Sequence, residues 1–142
     1  MPIRSANAEW KGDLKGGKGT VSTETKMLDN ASYDFGSRFE TGPNTNPEEL
    51  IGAAHSACFS MAFANSLSKE GFKVNSIKTE AKVHLDKKEE GFRITKIELH
   101  TVGDVEKISK EKFLEFAENS KVGCPVSNAL TGPMIVLHAK LK

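Results

Sequence analysis

Two cysteines are the residues of this sequence whose type could carry redox chemistry. Cys58 and Cys124 are the only cysteines among 142 residues. Two thiols cannot build a disulfide framework, and they are too few for an all-thiolate metal site. They suffice for one redox pair, but they lie 66 residues apart and form no local C-x-x-C motif. The fold would have to bring the two sulfurs together.

The two cysteines have different sequence surroundings. Cys58 lies in the middle of an apolar helical segment, where a buried, unreactive thiol is the simpler interpretation. Cys124 precedes Pro125, which places it at the start of a helix. The amides of a first helical turn stabilise a thiolate and lower its pKa. The alternative for Cys124 is a loop cysteine packed against the core.

Composition excludes several classes of protein. The net charge is +1, which argues against a protein that coats nucleic acid or an anionic membrane. The N-terminal segment 1–13 lacks the apolar stretch that a secretory signal contains. The longest apolar run, 57–64, is too short to span a bilayer. We therefore expect one cytoplasmic domain over residues 1–142, in a compartment where thiols are kept reduced.

The hydrophobic pattern predicts an α+β domain in which antiparallel sheets cover one long helix. Asn46 and Pro47 begin this helix, Gly71 ends it, and it is apolar on most of its circumference, so other elements or another chain must bury it. Tyr33–Glu40, which contains Arg38, is predicted to be a strand. The other predicted elements are strands 4–11, 19–25, 74–86, 92–101 and 134–141, a helix over 109–120, and a short helix from Cys124.

Several motifs together resemble the OsmC/Ohr family of thiol peroxidases, and its OsmC branch in particular. The two cysteine motifs are the most specific, and they stand in the family's order and spacing. The matching segments are 46–62, 123–127, 10–13, 17–23, 38–40, 85–86 and 91–97. The resemblance runs the length of the chain. It implies an OsmC-like fold, with sheets wrapped around a long buried central helix in an intertwined homodimer.

The resemblance also implies an activity and a set of site residues. Family members reduce organic hydroperoxides and hydrogen peroxide without a cofactor. Cys58 resembles the peroxidatic cysteine, whose sulfenic acid the second cysteine, Cys124, converts to a disulfide. Arg38 resembles the arginine that holds the thiolate, and Glu48 the carboxylate that positions that arginine. The implied partners are a hydroperoxide substrate and an external dithiol of the lipoyl type, with no nucleic acid and no membrane.

Elementary chemistry supports the need for Arg38. Burial raises the pKa of a thiol, so Cys58 would be inert without a nearby cation. Of the three arginines, only Arg38 lies in an apolar-flanked segment. The alternative for Arg38 is a cross-strand ion pair, for example with Glu40. For Glu48 it is a first-turn acid that complements the helix dipole, which is compatible with the catalytic role.

The spacing of Glu48 and Cys58 poses a geometric problem. Ten residues of continuous helix separate the two by about 15 Å along the axis, farther than a glutamate side chain reaches. Either the helix breaks between them, or the Arg38–Glu48 pair that serves Cys58 includes groups of a second chain. The second alternative agrees with the apolar helix, and we therefore expect an obligate homodimer.

The remaining polar residues indicate no further chemistry at this level. The four histidines lie on different predicted elements without ligand spacing, so no metal site is expected; His55, three residues from Cys58, could have a supporting role. The glycines of 12–19 lack the order of a phosphate-binding loop. The alternative function is a non-enzymatic OsmC-fold protein that binds a small molecule or senses redox state. Arg38 and Cys124 argue against it, since an inactive relative is expected to lack them.

Overall fold

The computed structural model describes all residues, Met1–Lys142, and the chain forms two compact units, Met1–Leu50 and Ile51–Lys142. The first unit contains three strands and a short helix. Strands β1 (Ala6–Lys11), β2 (Lys18–Thr23) and β3 (Ala31–Tyr33) form an antiparallel sheet in the order β1-β2-β3. The assignment of residues 1–142 to a single domain stays a prediction.

The segment that carries Arg38 is helical, so the prediction of a strand over Tyr33–Glu40 is wrong. Helix α1 spans Phe35–Phe39. Asp34 caps it: its carboxylate accepts the Ser37 amide at 2.8 Å, while the Ser37 hydroxyl accepts the Asp34 amide at 3.0 Å. This reciprocal capping box satisfies amides at the start of the helix and outweighs the strand-like spacing of the aromatic residues.

The long helix α2 spans Pro47–Lys69 without a break. The Asn46 side chain accepts the Glu49 amide at 2.8 Å, as predicted for the N-cap. Gly71 follows the helix with a φ of +86°, a conformation that favours glycine. By length and composition alone, α2 is apolar enough to cross a membrane, a criterion that the core helix of a soluble protein also meets. The sequence prediction considered only run 57–64, whereas α2 is 23 residues long.

The second unit is built on a mixed sheet. Strands β4 (Val74–Lys88) and β5 (Gly91–Val105) form a long antiparallel hairpin, and β6 (Met134–Leu141) pairs with β5 in parallel. A parallel pair needs a crossover connection, which helices α3 (Lys110–Gly123) and α4 (Pro125–Ala129) provide. The elements agree with the sequence prediction, except that β6 pairs in parallel.

The core of the second unit lies between α2, α3 and one face of this sheet. Its fully buried side chains include Phe59, Phe63 and Leu67 of α2, which recur every four residues along one stripe of the helix. Phe63 packs against Phe113 of α3 with ring centroids 5.0 Å apart. The apolar composition of α2 is therefore partly explained by core packing. The opposite side of the helix is exposed.

Candidate active site

Cys58 and Cys124 are brought into contact in the second unit. Their sulfurs lie 3.0 Å apart, and both thiols are free. Cys58 projects from the middle of α2 and is half-buried, whereas Cys124 is fully buried at the junction of two helices. The Cys124 amide donates to Ser120 O at 2.9 Å to end α3, and its carbonyl accepts the Asn128 amide at 3.0 Å to begin α4. The prediction that Cys124 begins a helix is confirmed.

The surroundings of the two sulfurs shift their pKa values in opposite directions. Burial, and then the hydrogen bond with Cys124, raise the pKa of the Cys58 thiol, although the Val126 amide opposes them. Burial also opposes ionisation of Cys124, but the hydrogen bond with Cys58 and those from the Ser127 amide and hydroxyl outweigh it and lower the Cys124 pKa. The hydrogen bond with Cys58, followed by those from Ser127 in the first turn of α4, therefore favours a thiolate at Cys124, whereas Cys58 needs a cation to become one.

A buried histidine contacts the short helix that begins at Cys124. His55 is fully buried, and its Nε2 lies 2.8 Å from the Ser127 hydroxyl. The same hydroxyl forms a hydrogen bond with Cys124 that lowers the pKa of the thiol. Burial lowers the pKa of His55, which favours a neutral imidazole. Sequence reasoning placed His55 near Cys58 but missed Ser127. The signal that could have found Ser127 is its position in the first turn after Cys124-Pro125.

A depression of about 860 Å³ with a predominantly apolar lining opens beside Cys58. It is bordered by Met61 and Ala62 of α2 and by Gly123 and Pro125 around the α3–α4 junction. Met61 is 75% exposed. The depression is large enough for a small apolar molecule to approach Cys58.

In the first unit, Arg38 and Glu48 form an ion pair. Nε and Nη2 of Arg38 donate to the same oxygen, Glu48 Oε1, at 3.1 and 3.0 Å. The guanidinium also lies 5.3 Å from the ring centre of Phe39. Arg38 therefore pairs with Glu48 and not with Glu40, the alternative that the sequence left open. Glu48 Oε2 is buried and has no hydrogen-bond partner.

The structure thus gathers the four predicted site residues into two pairs, one in each compact unit. Cys58 contacts Cys124, and Arg38 contacts Glu48. The helix that carries Glu48 and Cys58 is continuous, so the first of the two alternatives for their spacing, a helix break, is wrong.

The histidines are less dispersed than the sequence suggested. His84, His100 and His138 come from three different strands, but all three lie close to Glu98. Sequence spacing could not show this, because strand pairing brings residues 54 positions apart into one group. Only His55 stands apart, in the contact with Ser127 described above.

Comparison with known proteins identifies the family. The family described as OsmC-like protein matches residues 40–138. Peroxiredoxin OsmC of Escherichia coli strain K12 is 49% identical over 139 residues, which cover 98% of this chain and 96% of that protein. The chain belongs to the OsmC family. The related Ohr group is more distant: organic hydroperoxide resistance protein OhrB of Bacillus subtilis is 27% identical and covers 83% of this chain and 86% of that protein.

Solved structures of OsmC-family proteins share this fold. An organic hydroperoxide resistance protein from Elizabethkingia anophelis superposes with a TM-score of 0.77 at 23% identity, covering 99% of both chains. An OsmC-like protein of Vibrio cholerae gives a TM-score of 0.75 at 20% identity, covering 98% of this chain and 99% of that one. The predicted OsmC-like α+β fold is confirmed.

Proposed function

We propose that this OsmC-family chain is a thiol-dependent peroxidase that reduces organic hydroperoxides and hydrogen peroxide through Cys58. The Cys58 thiolate attacks the terminal peroxide oxygen, the O–O bond breaks, and the leaving alkoxide or hydroxide takes a proton to become alcohol or water. Cys124 then attacks the resulting sulfenic acid, which releases water and forms a disulfide. The observation that carries this proposal is the 3.0 Å contact between the two sulfurs.

The contact suits the second step because little movement is needed. A disulfide bond is about 2.05 Å long, so the sulfurs must approach by about 1 Å. The lowered pKa of Cys124 also supports its role as the resolving thiol, because a thiolate is the attacking species in thiol exchange. An external dithiol, of the lipoyl type by family resemblance, returns the pair to two thiols and leaves as a disulfide. The reducing cytoplasm is the compartment that suits this cycle.

The first step requires a Cys58 thiolate, but burial and the hydrogen bond with Cys124 raise the pKa of Cys58. Arg38 is the group we assign to this task, since a guanidinium stays charged and offers several donors to the thiolate and the peroxide oxygens. Glu48 fixes the guanidinium by accepting two of its N–H groups on one oxygen. Because α2 is continuous, we place the Arg38–Glu48 pair that serves each Cys58 on a second protomer.

The exposed side of α2 is where we place the second copy of the chain. Ala53, Ala57, Met61 and Asn65 are exposed and recur every four residues, which gives a stripe of mostly small or apolar side chains. A stripe of this kind is costly to leave in water and close enough to Cys58 to bring a partner's groups to it. The unpartnered Glu48 Oε2 also favours a further donor from outside the chain.

Consumption of cumene hydroperoxide with excess dihydrolipoamide tests the proposal in wild type, Cys58→Ser and Cys124→Ser. Cys58→Ser should be inactive. Cys124→Ser should complete about one turnover per site rapidly and then proceed only as fast as the dithiol attacks the sulfenic acid directly. Equal activity in all three proteins would overturn the proposal, and no activity even in wild type would favour a protein that only binds the small molecule.

A further inference from the structure

The outward face of the second sheet carries three imidazoles around one carboxylate, Glu98. His84 lies on β4, Glu98 and His100 on β5, and His138 on β6 directly beside His100 in the parallel register. The side chains of this group are 20–53% exposed. None of these residues takes part in the proposed peroxidase chemistry.

The two oxygens of Glu98 have different neighbours. Oε2 lies 2.5 Å from His84 Nε2 and 3.6 Å from Lys96 Nζ, and these contacts hold the carboxylate in place. The hydrogen bond with His84 comes first among the causes that lower the pKa of Glu98. Oε1 is left to face the other two imidazoles, at 3.7 Å from His100 Nε2 and 3.8 Å from His138 Nε2. Both distances are too long for a hydrogen bond.

One ring nitrogen in this group is buried without a partner. His100 Nε2 is inaccessible to solvent and makes no hydrogen bond, although a buried polar atom without a partner costs about 1–3 kcal/mol. The ring of His138 stacks on that of His100 with centroids 4.5 Å apart and planes 12° apart. His100 Nε2 is therefore a potential ligand atom that no hydrogen bond occupies, 3.7 Å from Glu98 Oε1.

We propose that Glu98, His100 and His138 bind a divalent transition-metal ion of the zinc type, and that His84 orients the carboxylate. One potential ligand atom of each of the three residues lies within 4.8 Å of the other two. Tetrahedral zinc with bonds of about 2.0–2.1 Å separates its ligand atoms by about 3.4 Å, so Oε1 has to approach each nitrogen by only a few tenths of an ångström. The exposed His138 ring is free to turn toward the ion.

The donor set decides the class of metal. Two imidazoles and one carboxylate suit zinc, nickel or copper, whereas calcium and magnesium prefer oxygen ligands. Three protein ligands leave a fourth position for water, as in an open site. His84 would fix the ligating carboxylate from outside the metal site through its hydrogen bond to Oε2. The Lys96 ammonium near the same oxygen opposes a cation, as does Lys82, which lies directly across from Glu98 in the strand register.

Isothermal titration calorimetry with ZnCl₂ tests the site. The protein is tag-free and carries Cys58→Ser and Cys124→Ser, because free thiols would also bind zinc. We expect one zinc per chain. His100→Ala, His138→Ala and Glu98→Gln should each weaken binding at least tenfold, and His84→Ala by about tenfold. Glu90→Gln, which removes an exposed carboxylate in the β4–β5 turn, is the matched control and should leave the affinity unchanged.

Two further measurements protect the test from misfolding and from nonspecific binding. Circular dichroism should show that each variant keeps the wild-type thermal transition, since the substituted side chains are partly exposed. Zinc binding should persist in excess MgCl₂, because two imidazoles and one carboxylate suit zinc whereas magnesium prefers oxygen ligands. The absence of zinc binding, or binding that His100→Ala and His138→Ala leave unchanged, would overturn the proposal.

Discussion

Cys58 Sγ and Cys124 Sγ lie 3.0 Å apart although 66 residues separate them along the chain. The contact joins the middle of one helix to the junction of two others, and the pKa values of its two thiols move in opposite directions. The pair is therefore asymmetric before any oxidant arrives. The half-buried sulfur borders an apolar depression, and the buried one belongs to the N-cap residue of α4.

Oxidation should begin at Cys58, the half-buried sulfur that borders the depression, and Cys124 should react second. One equivalent of cumene hydroperoxide should convert wild type to an intramolecular disulfide, seen in the intact mass as the loss of two hydrogens. Cys124→Ser should instead gain one oxygen at Cys58, because no resolving thiol remains. A stable oxygen adduct on Cys124 in Cys58→Ser, formed at the wild-type rate, would reverse the two roles.

Arg38 should control the ionisation of Cys58. Arg38→Met removes a cation that favours the thiolate, so the pKa of Cys58 should rise and its alkylation by iodoacetamide should need a higher pH than in wild type. Peroxidase activity should fall by about 10²-fold or more, the cost typical of removing one charge-stabilising donor. Arg38→Lys should restore little of it, since a point charge cannot replace the planar fork.

Mixed dimers test whether Arg38 acts across the interface. Cys58→Ser and Arg38→Met chains are co-expressed with different purification tags. If each site combines Cys58 of one protomer with Arg38 of the other, random pairing should restore about a quarter of wild-type activity. If both residues act within one chain, every site in the mixture lacks one of them and activity should not recover.

Met61 should be part of the surface that a second protomer covers. Wild type should have a solution mass of about twice 15.5 kDa by light scattering. Met61→Lys places a charge in the apolar stripe of α2 and should shift the protein toward the monomer, with loss of peroxidase activity. Met27→Lys is the control, since Met27 is 85% exposed and lies outside this helix. A stable, active monomer of the wild type would contradict the assignment.

His55 should make stability depend on pH. Burial lowers its pKa in the folded chain, so the unfolded chain binds a proton more readily as the pH falls. The contribution of neutral His55 to the free energy of unfolding is present above the unfolded-state pKa of about 6.5. It is lost as the pH falls toward the lower pKa of the folded chain. The urea midpoint of wild type should therefore decrease from pH 7.5 to 5.0 more than that of His55→Gln, which stays neutral and can still bond to Ser127. Equal slopes would show that another group is responsible.

The zinc proposal is independent of these experiments. Its residues lie on the outward face of the sheet, and the titration is done without either thiol. Loss of peroxidase activity in the cysteine variants therefore says nothing about zinc, and failure to bind zinc leaves the peroxidase unaffected.

Local sequence determined the ends of most elements and the types of the reactive residues. Asn46-Pro47 and Gly71 define the long helix through capping and a positive φ, which depend only on neighbouring residues. Pro125 marks Cys124 as the start of a helix for the same reason. The one clear local error, the strand over Tyr33–Glu40, arose because the capping bonds of Asp34 and Ser37 outweigh hydrophobic spacing.

Tertiary structure decided which residues meet. The sequence left Arg38 open between Glu40 and Glu48, and it could not show that His55 reaches Ser127 or that three histidines from three strands surround Glu98. Such contacts depend on strand register and on helix packing between distant segments, where no local rule applies. Residue type thus determined what chemistry this chain could do, and long-range packing decided where that chemistry is assembled.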